Sequence, residues 1–177
     1  MRKALYSLGD RDDADVGWLA ANGERITTRP GETLIRAGEP IDTFYVVLDG
    51  RLSVKVGRDV TVAEVGAGDI LGEMSFVEKR PPSASVVAQT ESRLLSVPQA
   101  SLREELKRDP AFAARFYRAL AVFLSDRLRE TADQLGYGDA KDRADAGGEL
   151  DEGILDNVHI AGERMRRLLA LLEGRRV

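Results

Sequence analysis

Residues 72–86 combine residue types that can hold an anion through the backbone. The segment begins with Gly72, Glu73, Met74 and Ser75 and later passes through a run of small residues to Val86. A glycine followed by a short helical turn lets backbone N–H groups point at an anion. Small side chains at the start of a strand let a phosphate approach the chain closely. The segment therefore predicts a loop able to contact a phosphate.

The elements that position this loop are predicted to be short strands. Between residues 24 and 98, short apolar runs alternate with glycine or charged turns, which is typical of an antiparallel jelly-roll or barrel. Asp49-Gly50 and the segment 57–59 predict hairpin turns. The clearest strand runs are residues 44–48, 52–56, 60–65, 86–88 and 94–97.

Helical patterns flank the strands on both sides. A short helix is predicted over residues 10–22 and another over residues 99–107. Asp109 and Pro110 then supply an N-cap and a first-turn proline for a long helix that extends to about Leu135. Its apolar residues recur in steps of three or four. This stripe either packs on the chain's own strands or pairs with a second copy.

The chain divides into three predicted parts. Residues 1–137 form the main domain, residues 138–153 an acidic linker, and residues 154–177 a terminal amphipathic helix. The surface that covers the helix is left open between its own domain, a second copy and another protein. Its apolar stripe consists of Ile154, Val158, Ala161, Met165, Leu168 and Leu172.

Composition excludes several classes of function. Hydrophobic residues make up 43% and charged residues 32% of the 177 residues, as in a soluble globular protein. The net charge of −4 favours neither nucleic acid nor an anionic membrane as a partner. The chain has no cysteine, and its single histidine, His159, lies outside the strand region. Since no catalytic or metal-ligand spacing occurs, we expect a protein that is not an enzyme and holds no metal. The basic N-terminus is not followed by an apolar run, and no stretch approaches 18 apolar residues, so we expect a cytoplasmic location.

Residues 72–86 resemble the phosphate-binding cassette of cyclic nucleotide-binding domains, the family of the catabolite activator protein, protein kinase A regulatory subunits and cyclic nucleotide-gated channels. The resemblance covers about residues 10–137 and implies a mainly β fold with flanking helices. The implied fold is an antiparallel β-roll (jelly-roll, double-stranded β-helix) with a long C-helix and a terminal helix, and the implied role is regulatory. Upstream matches are Pro30-Gly31-Glu32, Leu34-Ile35, Ala37-Gly38, Asp42, residues 44–47, Gly50 and Gly68-Asp69.

The resemblance also implies which residues meet a ligand. The family's phosphate-binding arginine falls at Pro82, which carries no charge. Glu73 matches the glutamate that holds the ribose 2′-hydroxyl, and Ser83 matches a donor to a phosphate oxygen. Losing the ionic contact costs about 2 to 5 kcal/mol, so cyclic AMP or cyclic GMP should bind weakly or not at all. The candidate ligand-binding residues are Gly72, Glu73, Met74, Ser75, Arg80, Pro82, Ser83 and Ala84.

Several alternatives stay open at this point. Arg80 lies two residues before Pro82, and in a flat strand it would share that face, making the protein a genuine sensor of cyclic AMP or cyclic GMP. The two prolines favour a polyproline II path that turns Arg80 away. A cassette without the arginine is either empty or takes another small anion. Gly72, Glu73 and Ser83 also have purely structural explanations, in a tight turn, at a helix dipole and in a backbone hydrogen bond.

A third hypothesis makes the protein a homodimeric scaffold assembled through its C-terminal helices, with the C-helix as the dimer contact. Relatives that bind DNA carry a winged helix-turn-helix after the C-helix, and that module needs two helices and a wing. The 39 residues after Gly138 include the acidic linker and a single predicted helix. We therefore expect no autonomous DNA binding.

Overall fold

The computed structural model describes residues 13–57, 59–134, 168 and 170–172. Within these residues, two antiparallel sheets of four strands each are flanked by helices. In chain order the elements are α1 (Asp13–Asn22), β1 (Glu24–Thr28), β2 (Thr33–Ile35), β3 (Thr43–Asp49), β4 (Arg51–Val56), β5 (Val60–Gly66), β6 (Ile70–Leu71), α2 (Glu73–Glu78), β7 (Ser85–Ala88), β8 (Ser92–Pro98), α3 (Gln99–Arg108) and α4 (Pro110–Gln134).

The strands are ordered β1-β8-β3-β6 in the first sheet, called sheet I, and β2-β7-β4-β5 in the second, called sheet II. The longest pairing joins β3 to β8, from Thr43 opposite Pro98 to Asp49 opposite Arg93. The predicted fold, a β-roll with flanking helices and a long C-helix, is confirmed, with α4 as that helix.

Both faces of sheet I are buried. Neighbouring side chains in a strand point to opposite faces, so one strand can contribute to two different cores. In β3, Val46 belongs to a core shared with the helices and Val47 to a core shared with sheet II. In β8, Leu95 and Leu94 divide in the same way. We call these two clusters the helical core and the inter-sheet core. Sheet I therefore holds the helices on one side and sheet II on the other.

Helix α4 begins where the N-cap was predicted. The Asp109 Oδ1 atom accepts hydrogen bonds from the backbone N–H groups of Ala111 and Phe112, both at 2.9 Å. This contact satisfies donors that have no partner within the helix. The N-cap prediction is thus confirmed.

Helix α1 is tied to α4 by an ion pair. Arg115 Nε and Nη2 lie 2.7 Å from Asp15 Oδ2 and Oδ1, respectively. The Asp15 side chain is 3% exposed, whereas that of Arg115 is 27% exposed. Two parallel bonds of this kind fix orientation as well as distance.

The hairpin predicted at Asp49-Gly50 is wrong. Strand β3 lies in sheet I and β4 in sheet II, so Gly50 passes the chain from one sheet to the other. Its φ is +98°, and a Cβ atom here would lie 2.6 Å from the Cα of Ser92. The turn signal was correct, but the strands after it pair with other partners. The hairpin predicted at residues 57–59 does join β4 to β5, with residue 58 outside the described residues.

The predicted helices and strands agree with the structure to within a few residues. The helices predicted over residues 10–22 and 99–107 are observed as Asp13–Asn22 and Gln99–Arg108. All five predicted strand runs are present, and β1, β2 and β6 add to them. Strand β1 was hard to single out because its sequence, ERITT, is largely polar.

The linker predicted at residues 138–153 and His159 lie outside the described residues, as does most of the helix predicted at residues 154–177. Leu168 and Leu172 are described, are helical, and belong to the helical core with exposures of 0% and 7%. The surface that covers these two leucines therefore belongs to the chain's own domain. Among the described residues, no helix is both long and apolar enough to cross a membrane.

Candidate functional site

A cavity of about 300 Å³ lies between sheet II, the cassette helix α2 and helix α4. Its walls are mostly apolar, with a few polar groups, which is the usual character of a small-molecule site. The lining residues are Ile35, Ile41, Val54, Val56, Val62, Ala63, Leu71, Gly72, Glu73, Met74, Ser75, Pro82, Ser83, Ala84, Val86, Leu124, Arg127 and Thr131.

Gly72 determines how the chain enters α2, the helix that borders this cavity. Its φ is +84°, in the left-handed region that glycine adopts without strain. A Cβ atom at this position would lie 2.7 Å from the Thr43 carbonyl oxygen. The chain therefore passes close to β3 before α2 begins, and Glu73 and Ser75 of that helix are buried.

The structure brings seven of the eight predicted site residues to the cavity. Gly72, Glu73, Met74, Ser75, Pro82, Ser83 and Ala84 all line it. Arg80 is exposed and is not among the lining residues. What these residues bind stays a prediction.

Glu73 is the most deeply buried charged group at the cavity, with 5% of its surface exposed. Its Oε1 atom lies 3.4 Å from Arg127 Nη1. Burial raises the pKa of the Glu73 carboxyl, an effect that Arg127 opposes and Asp69 reinforces. Desolvation disfavours the charged form of a carboxyl, so the proton is held more tightly here than in water.

Arg127 was not predicted as a site residue. Helix α4 presents it to the cavity together with Leu124 and Thr131, at spacings of three and four residues that share one helix face. The guanidinium carbon lies 5.5 Å from the centre of the Phe123 ring. The available signal was an arginine within the mostly apolar stripe of α4. It was missed because the stripe was followed mainly along its leucine residues.

Pro82 faces the cavity from a loop that is fixed at both ends. Its carbonyl accepts a hydrogen bond of 2.8 Å from Gly38 N–H. The Ser85 hydroxyl oxygen accepts one of 3.0 Å from Ala37 N–H. The backbone of the cassette is therefore held against the β2–β3 loop, although the side chain at position 82 is uncharged.

The other end of the cassette is held by α3. Arg103 Nη2 donates to the Phe76 carbonyl oxygen at 2.6 Å, and its guanidinium carbon lies 4.2 Å from the centre of the Phe76 ring. That ring also contacts Phe44 and Phe116, with centroids 6.1 and 5.8 Å apart. Helix α2 thus connects the cavity to the helical core.

The chain belongs to the family described as cyclic nucleotide-binding domain, whose signature matches residues 25–109. A solved N-terminal domain of a transcriptional regulator from Streptomyces coelicolor A3(2) is 32% identical, with a TM-score of 0.59. The match covers 73% of this chain and 95% of that one. A cyclic nucleotide-binding domain from Methylobacillus flagellatus KT is 25% identical, with a TM-score of 0.69 and coverage of 78% and 85%.

Glutaminase 2 from Bradyrhizobium diazoefficiens is 34% identical over 119 residues, which are 66% of this chain and 19% of that protein. The chain thus spans about a fifth of that relative. Family and fold together support a regulatory, cyclic nucleotide-binding-like module. Among the described residues, no group of three or more histidine, aspartate or glutamate side chains is placed to hold a metal.

Proposed function

We propose that this domain is a cyclic nucleotide-binding-like regulatory module that binds cyclic AMP and cyclic GMP weakly or not at all. The observation that carries the proposal is Pro82, which lines the cavity where the family resemblance places the phosphate arginine. A cyclic phosphate at this point would meet an uncharged ring. Charged hydrogen bonds to phosphate are the strong ones, so their loss removes a large share of the affinity.

The remaining cation does not replace the missing one. Among the described lining residues the charged side chains are Glu73 and Arg127, and these two contact each other. The Arg127 guanidinium also lies near the Phe123 ring. A phosphate that recruited Arg127 would separate it from Glu73 and leave a buried carboxylate without its cation, which is unfavourable.

Helix α4 is the element that would report an occupied cavity. Leu124 and Arg127 face the cavity, whereas Phe116, Ala119 and Phe123 belong to the helical core. A bound molecule that contacts Leu124 and Arg127 shifts α4 toward one position, provided that the protein binds the molecule more tightly with the helix in that position than in another. The output would be a change in the surface that α4 presents to a partner protein.

Calorimetric titration of the wild-type protein and of Pro82→Arg with cyclic AMP and cyclic GMP tests the proposal. We expect no saturable heat below the millimolar range for the wild type. Pro82→Arg should gain at least about 2 kcal/mol, which is about thirtyfold in affinity. Pro81→Arg is the matched control, since Pro81 is exposed and lies outside the lining. Micromolar binding by the wild type would overturn the proposal.

The alternative in which Arg80 supplies the phosphate contact requires that arginine to turn inward from its exposed position. Under this alternative the wild type binds cyclic AMP at micromolar concentration, and Arg80→Ala abolishes that binding. Under our proposal Arg80→Ala leaves the weak titration unchanged. The wild-type titration therefore distinguishes the two hypotheses, and Arg80→Ala shows whether Arg80 supplies the phosphate contact.

A homodimer through α4 is the third candidate, favoured by the exposed apolar side chains of this helix. Tyr117 is 50% exposed and Leu128 71% exposed, and the exposed Ala121 lies between them, at steps of four and seven residues that share one helix face. Leu128→Glu should convert a dimer to a monomer in light scattering. Deleting residues 154–177 is a poorer test, because Leu168 and Leu172 belong to the helical core. A wild-type protein that is already monomeric would exclude this candidate.

A further inference from the structure

The two charges in the cavity cancel. Glu73 Oε1 and Arg127 Nη1 lie 3.4 Å apart, and every other described lining residue is uncharged. The wall around the pair is formed mainly by valine, leucine and isoleucine side chains from sheet II and α4. With Glu73 ionised, the cavity carries no net charge.

An anion and a neutral molecule therefore meet different costs in this cavity. An anion would find backbone N–H groups at the start of α2, but the cation among the described lining residues, Arg127, already contacts Glu73, so the anion brings an uncompensated charge into mostly apolar surroundings. A neutral molecule keeps the Glu73–Arg127 pair intact and adds apolar contact. A carboxylate accepts up to about four hydrogen bonds, so Glu73 has acceptor capacity beyond its contact with Arg127.

We propose that the cavity takes an uncharged, hydroxyl-bearing molecule with an apolar or aromatic body. Its hydroxyl donates to the Glu73 carboxylate, and its body packs against Val54, Val86 and Leu124. This inference rests on the proposed function, since it names the ligand class of the same cavity. It also departs from the family's usual anionic ligand.

The rim of the cavity suits an apolar ligand. Met74 is 51% and Val62 44% exposed, although both line the cavity. Methionine adapts its shape to irregular apolar partners. Burial of these two side chains by a bound molecule would add to the apolar area removed from water, which is the main source of affinity for an uncharged ligand.

Two matched pairs of probes test the charge preference. The first pair is 2-naphthalenemethanol and 2-naphthoate, titrated by naphthalene fluorescence, and the second is adenosine and cyclic AMP, titrated by calorimetry. In each pair the uncharged member should bind at least about tenfold more tightly. Equal or tighter binding of the charged members, or no saturable binding of either uncharged probe, would overturn the inference.

Two substitutions that change the cavity charge show whether the probes occupy this site. Pro82→Arg adds a cation, and Glu73→Gln removes the anion and leaves Arg127 alone. Both should shift the preference toward naphthoate, and Pro81→Arg should leave it unchanged. Each variant is first compared with the wild type by circular dichroism. A preference that stays the same in both folded variants places the probe elsewhere and contradicts the inference.

The same titrations separate this inference from the proposed function. Micromolar binding of cyclic AMP to the wild type overturns the proposed function and this inference together. Weak cyclic AMP binding combined with tight naphthoate binding overturns the inference alone, because the cavity would then accept an anion without a phosphate arginine.

Discussion

Two arginines of α4 pair with carboxylates that are almost completely buried, and the two pairs differ in strength. Near the start of the helix, Arg115 makes two bonds of 2.7 Å to Asp15. Twelve residues later, about 18 Å along the axis, Arg127 reaches Glu73 at a single distance of 3.4 Å. The first pair joins helix to helix, and the second lies at the cavity.

The difference indicates where α4 is free to respond. A bidentate pair fixes the start of the helix in position and orientation. A single long contact, flanked by a cavity, constrains the later turns much less. Coupling between an occupied cavity and the rest of the molecule would therefore act through the segment around Arg127, while the segment around Arg115 serves as the pivot.

Asp15→Asn should have the largest effect, because it removes the buried carboxylate charge that accepts two bonds from Arg115. We expect a loss of about 3 kcal/mol in the free energy of unfolding, at the lower end for a broken buried pair because Arg115 is partly exposed. Urea denaturation monitored by circular dichroism measures it. Asp49→Asn is the control, since Asp49 and Arg93 form an exposed pair whose loss should cost less than about 1 kcal/mol. Equal losses would show that the Asp15–Arg115 pair is no anchor.

Gly72→Ala should have an intermediate effect, because it forces β3 and α2 apart and displaces Glu73. Gly31→Ala is a matched control: both glycines have φ near +84°, yet a Cβ at Gly31 meets no atom within 4 Å. We expect Gly31→Ala to cost about 1 kcal/mol from backbone strain and Gly72→Ala at least about 2 kcal/mol from strain plus the close contact. Thermal unfolding of both variants compares them. Similar losses would mean that the close approach to Thr43 is easily relieved.

Glu73→Gln should have the smallest effect on stability at neutral pH, about 1 kcal/mol or less in either direction, because the lost ion pair offsets the removed burial of charge. The pH dependence is the sharper measurement. The folded-state pKa of Glu73 is raised, so between the unfolded value and the folded value the native state binds more protons. The free energy of unfolding should therefore fall as the pH rises through this window.

Glu73→Gln should remove that part of the pH profile. The charged groups that act on the Glu73 carboxyl are Arg127 from α4 and Asp69 from the turn before β6. Asp69→Asn therefore provides a second comparison, since removing this anion should shift the window to lower pH. A profile unchanged by Glu73→Gln would assign the pH dependence to other groups.

The cassette could be predicted from the sequence because its signals are local. Gly72 and the residues that follow it determine a tight turn and a short helix within a few positions. The N-cap at Asp109 was predictable for the same reason. By contrast, the turn at Asp49-Gly50 was predicted, but its role in passing the chain between sheets was not, since sheet membership depends on distant pairing partners.

The Glu73–Arg127 contact at the cavity could not be predicted for the same reason, because it joins residues that are distant in the sequence. The two residues are 54 positions apart, and their meeting depends on where α4 lies relative to α2 in the folded chain. Helical spacing places Leu124, Arg127 and Thr131 on one face, but it does not say what that face covers. The stripe of the terminal helix was likewise recognised from its spacing, whereas the helical core that holds its described members Leu168 and Leu172 was known only from the folded chain.

Leu168 and Leu172 also determine where a fragment of this protein can be cut. Both lie in the same core as Val16 of α1 and Phe123 of α4. An expressed segment that stopped at Gln134 would include every described strand and the whole cassette, yet would remove two buried leucine side chains from the helical core. The smallest segment suitable for ligand titration therefore extends past residue 172, well beyond the stretch that carries the family signature.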